Sequence, residues 1–172
     1  MAIRVLIADD HSVVRQGLRM FLGTDPDIEI LAEARNGDEA VMLARQLRPD
    51  VVLMDLLMPV MDGIAATVTI RRELPDTEVV ALTSVLEDAS IADAVRAGAI
   101  GYLLKDTEAQ ELRRAIKAAA AGQVQLSPQV MARLLRETVI PEKSPTLTER
   151  EIGVLRLLAQ GKSNKDIAQT LN

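Results

Sequence analysis

Apolar runs and helical patterns alternate five times along the first two thirds of this chain, and few folds accommodate that order. The runs cover 3–8, 28–34, 51–55, 79–83 and 100–104. The helical patterns cover 12–23, 38–48, 63–74, 87–97 and 108–121, the last three stopped by Pro75, Gly98 and Gly122. In 12–23, Val14, Leu18, Phe21 and Leu22 recur on one helical face. Ala40, Ala44 and Leu47 do the same in 38–48, and Leu112, Ala115, Ile116 and Ala119 in 108–121. Strict alternation of strand and helix requires a parallel sheet with helices on both faces. Right-handed crossovers then leave few topologies.

With five strands, the expected architecture is α/β and flavodoxin-like, in the order 2-1-3-4-5. That order sets the first and third strands side by side at the switch point, where ligands bind beyond the strand ends. Polar residues collect at this edge. Asp9 and Asp10 end the run Ile3–Ala8, and Asp55 closes the run 51–55 before Met58 and Pro59. Thr83 ends the fourth strand and Lys105 follows the fifth. Carboxylates are costly to desolvate, and three together repel unless positive charge joins them. The convergence therefore points to a divalent cation and phosphate chemistry. One acid could cap the helix that starts at 12, but two adjacent acids exceed what a cap needs. His11, the one histidine, reads as a structural residue at a helix start rather than a ligand.

Composition narrows the class. The 172 residues include no cysteine, which excludes disulfides and thiolate metal sites and fits the cytosol. No apolar run approaches a membrane span, and no signal peptide is visible. Aromatic residues make up 1%, too few for base-stacking platforms. The net charge of −5 is uneven: 13 Lys/Arg against 20 Asp/Glu in 1–122, but 7 against 5 in 123–172. A mildly basic second part is compatible with a nucleic-acid role.

Residues 123–172 break the alternation. Ser127-Pro128 opens a short helix from Gln129 to about Glu137, with Val130, Leu134 and Leu135 apolar. Pro141 to Pro145 reads as a linker. Thr148-Glu149-Arg150-Glu151 is a capping-box pattern, and its helix carries Ile152, Leu155 and Ala159 inward until Gly161. Ser163-Asn164-Lys165-Asp166 opens another, with Ile167, Ala168 and Leu171.

Together these motifs resemble a two-component response regulator of the NarL/LuxR (FixJ) type. Asp9-Asp10, Asp55-x-x-Met58-Pro59-x-x-x-Gly63, Ala81-Leu82-Thr83 and Gly101-Tyr102-Leu103-Leu104-Lys105 match the receiver pattern in order. Leu147-Thr148-x-Arg150-Glu151 and Leu158-Ala159-x-Gly161-x-Ser163-Asn164-x-x-Ile167-Ala168 match the start of the output domain. The resemblance implies a CheY-like receiver over 1–122, a linker over 123–145 and the first part of a LuxR-type helix-turn-helix over 146–172. The DNA-reading helix would follow Asn172, so the chain as given is expected to lack base-edge readout.

The resemblance also implies roles. Asp55 is the phosphoacceptor, served by a histidine kinase or a small phosphodonor. Mg2+ is held by Asp10, Asp55 and the backbone carbonyl of Leu57, with Asp9 acting through water. Lys105 places positive charge on the phosphoryl group, Thr83 donates its hydroxyl, and Tyr102 turns inward on phosphorylation. Homodimerisation on phosphorylation is expected through the face of helix 87–97, strand 100–104 and helix 108–121, through the side of helices 12–23 and 108–121, or by domain exchange. Leu57 and Val85, two residues past Asp55 and Thr83, are apolar and cannot position a hydrolytic water, so a long-lived phosphoryl state is expected. Many receivers place a cis proline after the lysine; here Asp106 stands there.

Other functions fit less well. A receiver acting only as a phosphate sink would lack specific DNA binding. An aspartyl-phosphate hydrolase needs an acid where Leu57 stands. Flavin or nicotinamide binding lacks its glycine-rich loop, which Asp9 and Asp10 replace. The expectation is a cytoplasmic signalling protein rather than an enzyme.

Overall fold

The computed structural model describes residues 2–84, 88–126, 130 and 131. The chain divides into two compact units, Met1–Thr138 and Val139–Asn172, and every described residue lies in the first. Its strands are β1 (Ile3–Ala8), β2 (Ile28–Ala34), β3 (Val51–Asp55), β4 (Glu78–Thr83), β5 (Gly101–Leu104) and β6 (Gln125–Leu126). Its helices are α1 (Ser12–Leu22), α2 (Gly37–Leu47), α3 (Gly63–Glu73), α4 (Asp88–Arg96) and α5 (Ala109–Ala120). The sheet runs β2-β1-β3-β4-β5-β6, and every pair is parallel.

The first five strands stand in the order expected from the alternation. A short sixth strand extends this sheet beyond β5. Gln125 pairs with Gly101 and Leu126 with Tyr102. Two residues carry no readable alternation, so only the neighbouring edge makes them a strand.

Alternate residues of each strand face opposite sides of the sheet. Val5, Ile7 and Leu53 meet Leu18 and Leu22 of α1 and Leu112 and Ile116 of α5. Leu6, Val52 and Met54 meet Ala40 and Ala44 of α2 and Ala66 and Ile70 of α3. A third cluster joins Leu56, Ala81, Ile91, Ala94 and Tyr102 to Val130.

α2 and α3 start on side-chain caps. Asn36 Oδ1 accepts from Glu39 N at 2.8 Å, and Asp62 Oδ1 accepts from Ala65 N at 2.8 Å. In α1 the inward face differs from the expected one. Phe21 is 55% exposed, whereas Arg15 is buried beside Leu18 and Leu22. A charged residue takes the inward position because acceptors wait there.

Candidate functional site

The turn after β1 and the end of β3 carry the acids. β1 and β3 are neighbours, with Ala8 opposite Met54, so Asp9 and Asp55 emerge side by side. Both are almost fully buried, at 1% and 2% exposure. Asp10, the next residue, is partly exposed. The turn into α1 is closed by His11 N, which donates to Asp9 Oδ1 at 2.8 Å. The turn after β3 is similar: Leu57 N donates to Asp55 Oδ1 at 3.2 Å.

Lys105 lies just past β5, where its N–H donates to the Thr83 carbonyl at 2.8 Å. Its Nζ reaches Asp55 Oδ2 at 2.7 Å and Asp9 Oδ2 at 2.8 Å. One ammonium thus bridges two buried carboxylates. Burial disfavours the Asp55 carboxylate most strongly; Lys105 pulls the other way, Asp9 adds repulsion, and the carboxyl is left above its ordinary range. Burial also opposes the Lys105 charge, but pairing with Asp55 and Asp9 outweighs it and raises the amine. For the pair, retention of the ammonium is the firm direction, since two carboxylates favour it.

Thr83 ends β4, one position beyond the register partner of Asp55, and is buried. Tyr102 is buried too, within the cluster that includes Val130. Its relative exposure is 1%. The Leu57 side chain is 63% exposed. Peptide bonds are trans throughout the described residues, including Lys105–Asp106. Val85, the linker-helix residues other than Val130 and Met131, and the helix-turn-helix residues 146–172 lie outside the described residues.

The glycine of the motif around Asp55 has a steric reason. A Cβ on Gly63 would come within 2.0 Å of the Asp55 carbonyl oxygen. Gly63 N also donates to the Leu56 carbonyl at 3.0 Å. Only glycine lets α3 begin against the strand that carries Asp55. Between them, Met61 N donates to the Pro59 carbonyl at 2.9 Å across Val60, whose φ is 71°. A β-branched residue in this γ-turn geometry is strained, and strain of this kind concentrates at functional loops.

The donor set fits a hard divalent cation. One ligand atom from each of Asp9, Asp10, His11 and Asp55 lies within 4.8 Å of the others. Asp9 Oδ2, beside Lys105 Nζ, and Asp10 Oδ1, beside His11 Nδ1, are buried oxygens with further lone pairs to offer a cation. Three carboxylates and one ammonium leave negative charge for a dication to cancel. Carboxylate oxygens suit Mg2+, which takes only a few protein ligands and keeps its waters.

His11 Nδ1 lies 2.7 Å from Asp10 Oδ1. One neighbour is not singled out by the sequence motifs. Arg15 Nη1 donates to the Asp9 carbonyl at 2.7 Å, and its Nε pairs with Glu33 at 3.2 Å. The signal for Arg15 was available: it stands three residues before Leu18 and seven before Leu22, on their face.

Comparison with known proteins agrees in both parts of the chain. Residues 5–117 match the family model of the response regulator receiver domain. Residues 145–172 match that of bacterial regulatory proteins of the luxR family. The chain is 46% identical over 175 residues to the transcriptional regulatory protein LiaR of Bacillus subtilis, covering 98% of this chain and 82% of that protein. It is 41% identical over 169 residues to the response regulator protein VraR of Staphylococcus aureus, covering 98% and 81%. Among solved structures, a LuxR-family two-component response regulator from Aurantimonas superposes with a TM-score of 0.75 at 35% identity, over 81% of this chain and 100% of that one. RcsB of Salmonella typhimurium superposes with a TM-score of 0.73 at 27% identity, over 99% and 84%.

Proposed function

This chain belongs to the response regulators, with a receiver domain and a LuxR-type DNA-binding helix-turn-helix, and from that premise we propose that Asp55 is its phosphoacceptor. The family is one of signalling proteins and transcription regulators, not of classical enzymes. We assign the receiver to 1–122, the linker to 123–145 and the first part of the helix-turn-helix domain to 146–172. The observation that carries the reading is the buried Asp55 carboxylate at the end of β3, 2.7 Å from Lys105 Nζ and beside Asp9.

In the proposed reaction an Asp55 carboxylate oxygen attacks the phosphorus of a phosphohistidine or a small phosphodonor. The new O–P bond forms as the bond to the leaving atom breaks in line, and the leaving group takes up a proton. The nucleophile must be ionised. Lys105 favours that form and meets the incoming phosphoryl oxygens with positive charge. Asp9, Asp10, Asp55 and the Leu57 carbonyl would hold Mg2+, which when bound cancels charge on the carboxylates and the phosphoryl group. Thr83, buried at the end of the adjacent strand, would donate its hydroxyl to the product. Its carbonyl already accepts from Lys105 N, so a shift of Thr83 is felt at β5.

A cognate histidine kinase, and DNA through the complete output domain, are the proposed partners, and the cytoplasm is the proposed setting. Among the described residues no helix is long and apolar enough to cross a membrane. Of the dimer faces, the α1/α5 side has the stronger support. Val13, Met20 and Phe21 are exposed on α1, whereas Leu126 and Val130 already pack against the β5 face. The luxR-family match over 145–172 disfavours a bare phosphate sink.

Labelling with acetyl phosphate tests the assignment. Acid-labile label should form in Mg2+ and vanish both in chelator and in Asp55→Asn. Persistent Mg2+-dependent label in that variant would overturn it.

A further inference from the structure

Arg15 is a buried arginine on α1 that the proposed chemistry does not use. Its guanidinium grips two acceptors at once: the Asp9 carbonyl at 2.7 Å and Glu33 Oε2 at 3.2 Å. That carbonyl belongs to the peptide group joining Asp9 to Asp10. The same stretch is pinned twice more. Asp9 N donates to the Ala34 carbonyl at 3.1 Å, and His11 N donates to Asp9 Oδ1 at 2.8 Å. Rotation of the Asp9–Asp10 peptide would swing the Asp10 carboxylate away from Asp55. Like charges favour that separation, so something must resist it.

We propose that Arg15, clamped by Glu33, is a positioning residue that holds the Asp9–Asp10 peptide so that both carboxylates face the cation site. The inference rests on the metal-dependent reading of the site given above. Charge neutralisation is not its role. Arg15 shares Glu33 with Arg19, whose Nη1 lies 3.5 Å from Glu33 Oε1, while Lys105 contacts the acids directly. A planar guanidinium suits the task because its donors are fixed relative to one another. A lysine reaches one acceptor well and the other poorly. Groups that orient metal ligands without touching the metal commonly change affinity by about 10- to 100-fold when removed.

The test is Mg2+ affinity, read from the amide resonances of Asp9, Asp10 and His11 in an NMR titration of the full chain, with Tm measured alongside. Arg15→Met should weaken Mg2+ binding by roughly 10-fold, Arg15→Lys should weaken it less, and Glu33→Gln should weaken it by a smaller factor in the same direction. If Arg15 acted only by its charge, removing it would tighten Mg2+ binding. If it only stabilised the fold, Tm would fall and affinity in the folded protein would not change. Either result overturns the proposal. Should Arg15→Met not fold, Arg15→Lys and Glu33→Gln decide, and wild-type affinity in both is the contrary result. Absence of Mg2+ shifts in the wild type itself would sink the metal reading and this inference with it.

Discussion

The two ends of the carboxyl edge are built on different physics. At β1 and β3, buried charge is held by short polar contacts: Lys105 to Asp9 and Asp55, Arg15 to the Asp9 carbonyl, and backbone N–H groups to both acids. At β4 and β5, Tyr102 belongs to an apolar cluster with Leu56, Ala81, Ile91, Ala94 and Val130. Charge is sensitive to one added cation or phosphoryl group, whereas apolar packing responds to shape. A site that takes up charge at one end and repacks at the other can turn chemistry into a surface change. Lys105 and Thr83 join the two ends, since their backbones are hydrogen bonded.

Substitutions at each end can break or sharpen this contrast. Lys105→Met should have the largest effect. It removes the ammonium from two buried carboxylates, which should cost about 3 kcal/mol without metal. Thermal unfolding should show much of the loss recovered in millimolar Mg2+; a loss unaffected by Mg2+ would mean that the polar end does not act as a charge balance. Val130→Ala comes next, with a cost of roughly 2 kcal/mol from a cavity beside Tyr102. Here Mg2+ should make no difference, and hydrogen exchange should accelerate first at Tyr102 and Leu126. Exchange unchanged at those amides would show that β6 and Val130 do not support the β5 edge.

Asp55→Asn should stabilise the metal-free protein by about 1 kcal/mol, read as a higher Tm. The sign follows from the raised Asp55 carboxyl. Below the unfolded value of about 3.8 the group is protonated in both states and costs nothing. As pH rises through the higher folded value, the folded chain holds the extra proton, so wild-type stability falls relative to the variant. The gap in Tm should therefore open as pH rises from the unfolded value and level off above the folded one; a gap that closes would give the opposite sign. Smallest is Val60→Gly, a gain of roughly 0.5–1 kcal/mol from relief of the left-handed conformation, offset by the entropy of glycine. Denaturant unfolding would detect it, and a loss would mean that Val60 carries no strain.

The polar end was legible in the sequence because charge at the end of an apolar strand is conspicuous. Asp9, Asp10, Asp55, Thr83 and Lys105 could be placed on one edge once the alternation gave the strand order. Their partners were harder to see. Arg15 reads as a surface residue until its face on α1 is drawn, and Glu33 reaches it from β2, eighteen residues away in sequence. Phe21 looked inward by periodicity alone, but it stands at the margin of the α1 stripe and is exposed. The apolar end was nearly illegible. Gln125–Leu126 becomes a strand only because β5 offers an open edge, and a lone Val130 has no pattern that assigns it to Tyr102. Strain at Val60 and the close approach at Gly63 depend on backbone paths that residue identity only hints at.

The central claim is that charge balance at the β1–β3 end exists to receive a phosphoryl group on Asp55. Borohydride reduction after acetyl phosphate treatment converts an aspartyl phosphate to homoserine, and peptide mass spectrometry then locates it. The account predicts homoserine at position 55 alone, formed only with Mg2+. Homoserine at position 9 or 10, or a stable phosphate on His11 with position 55 unmodified, would contradict it.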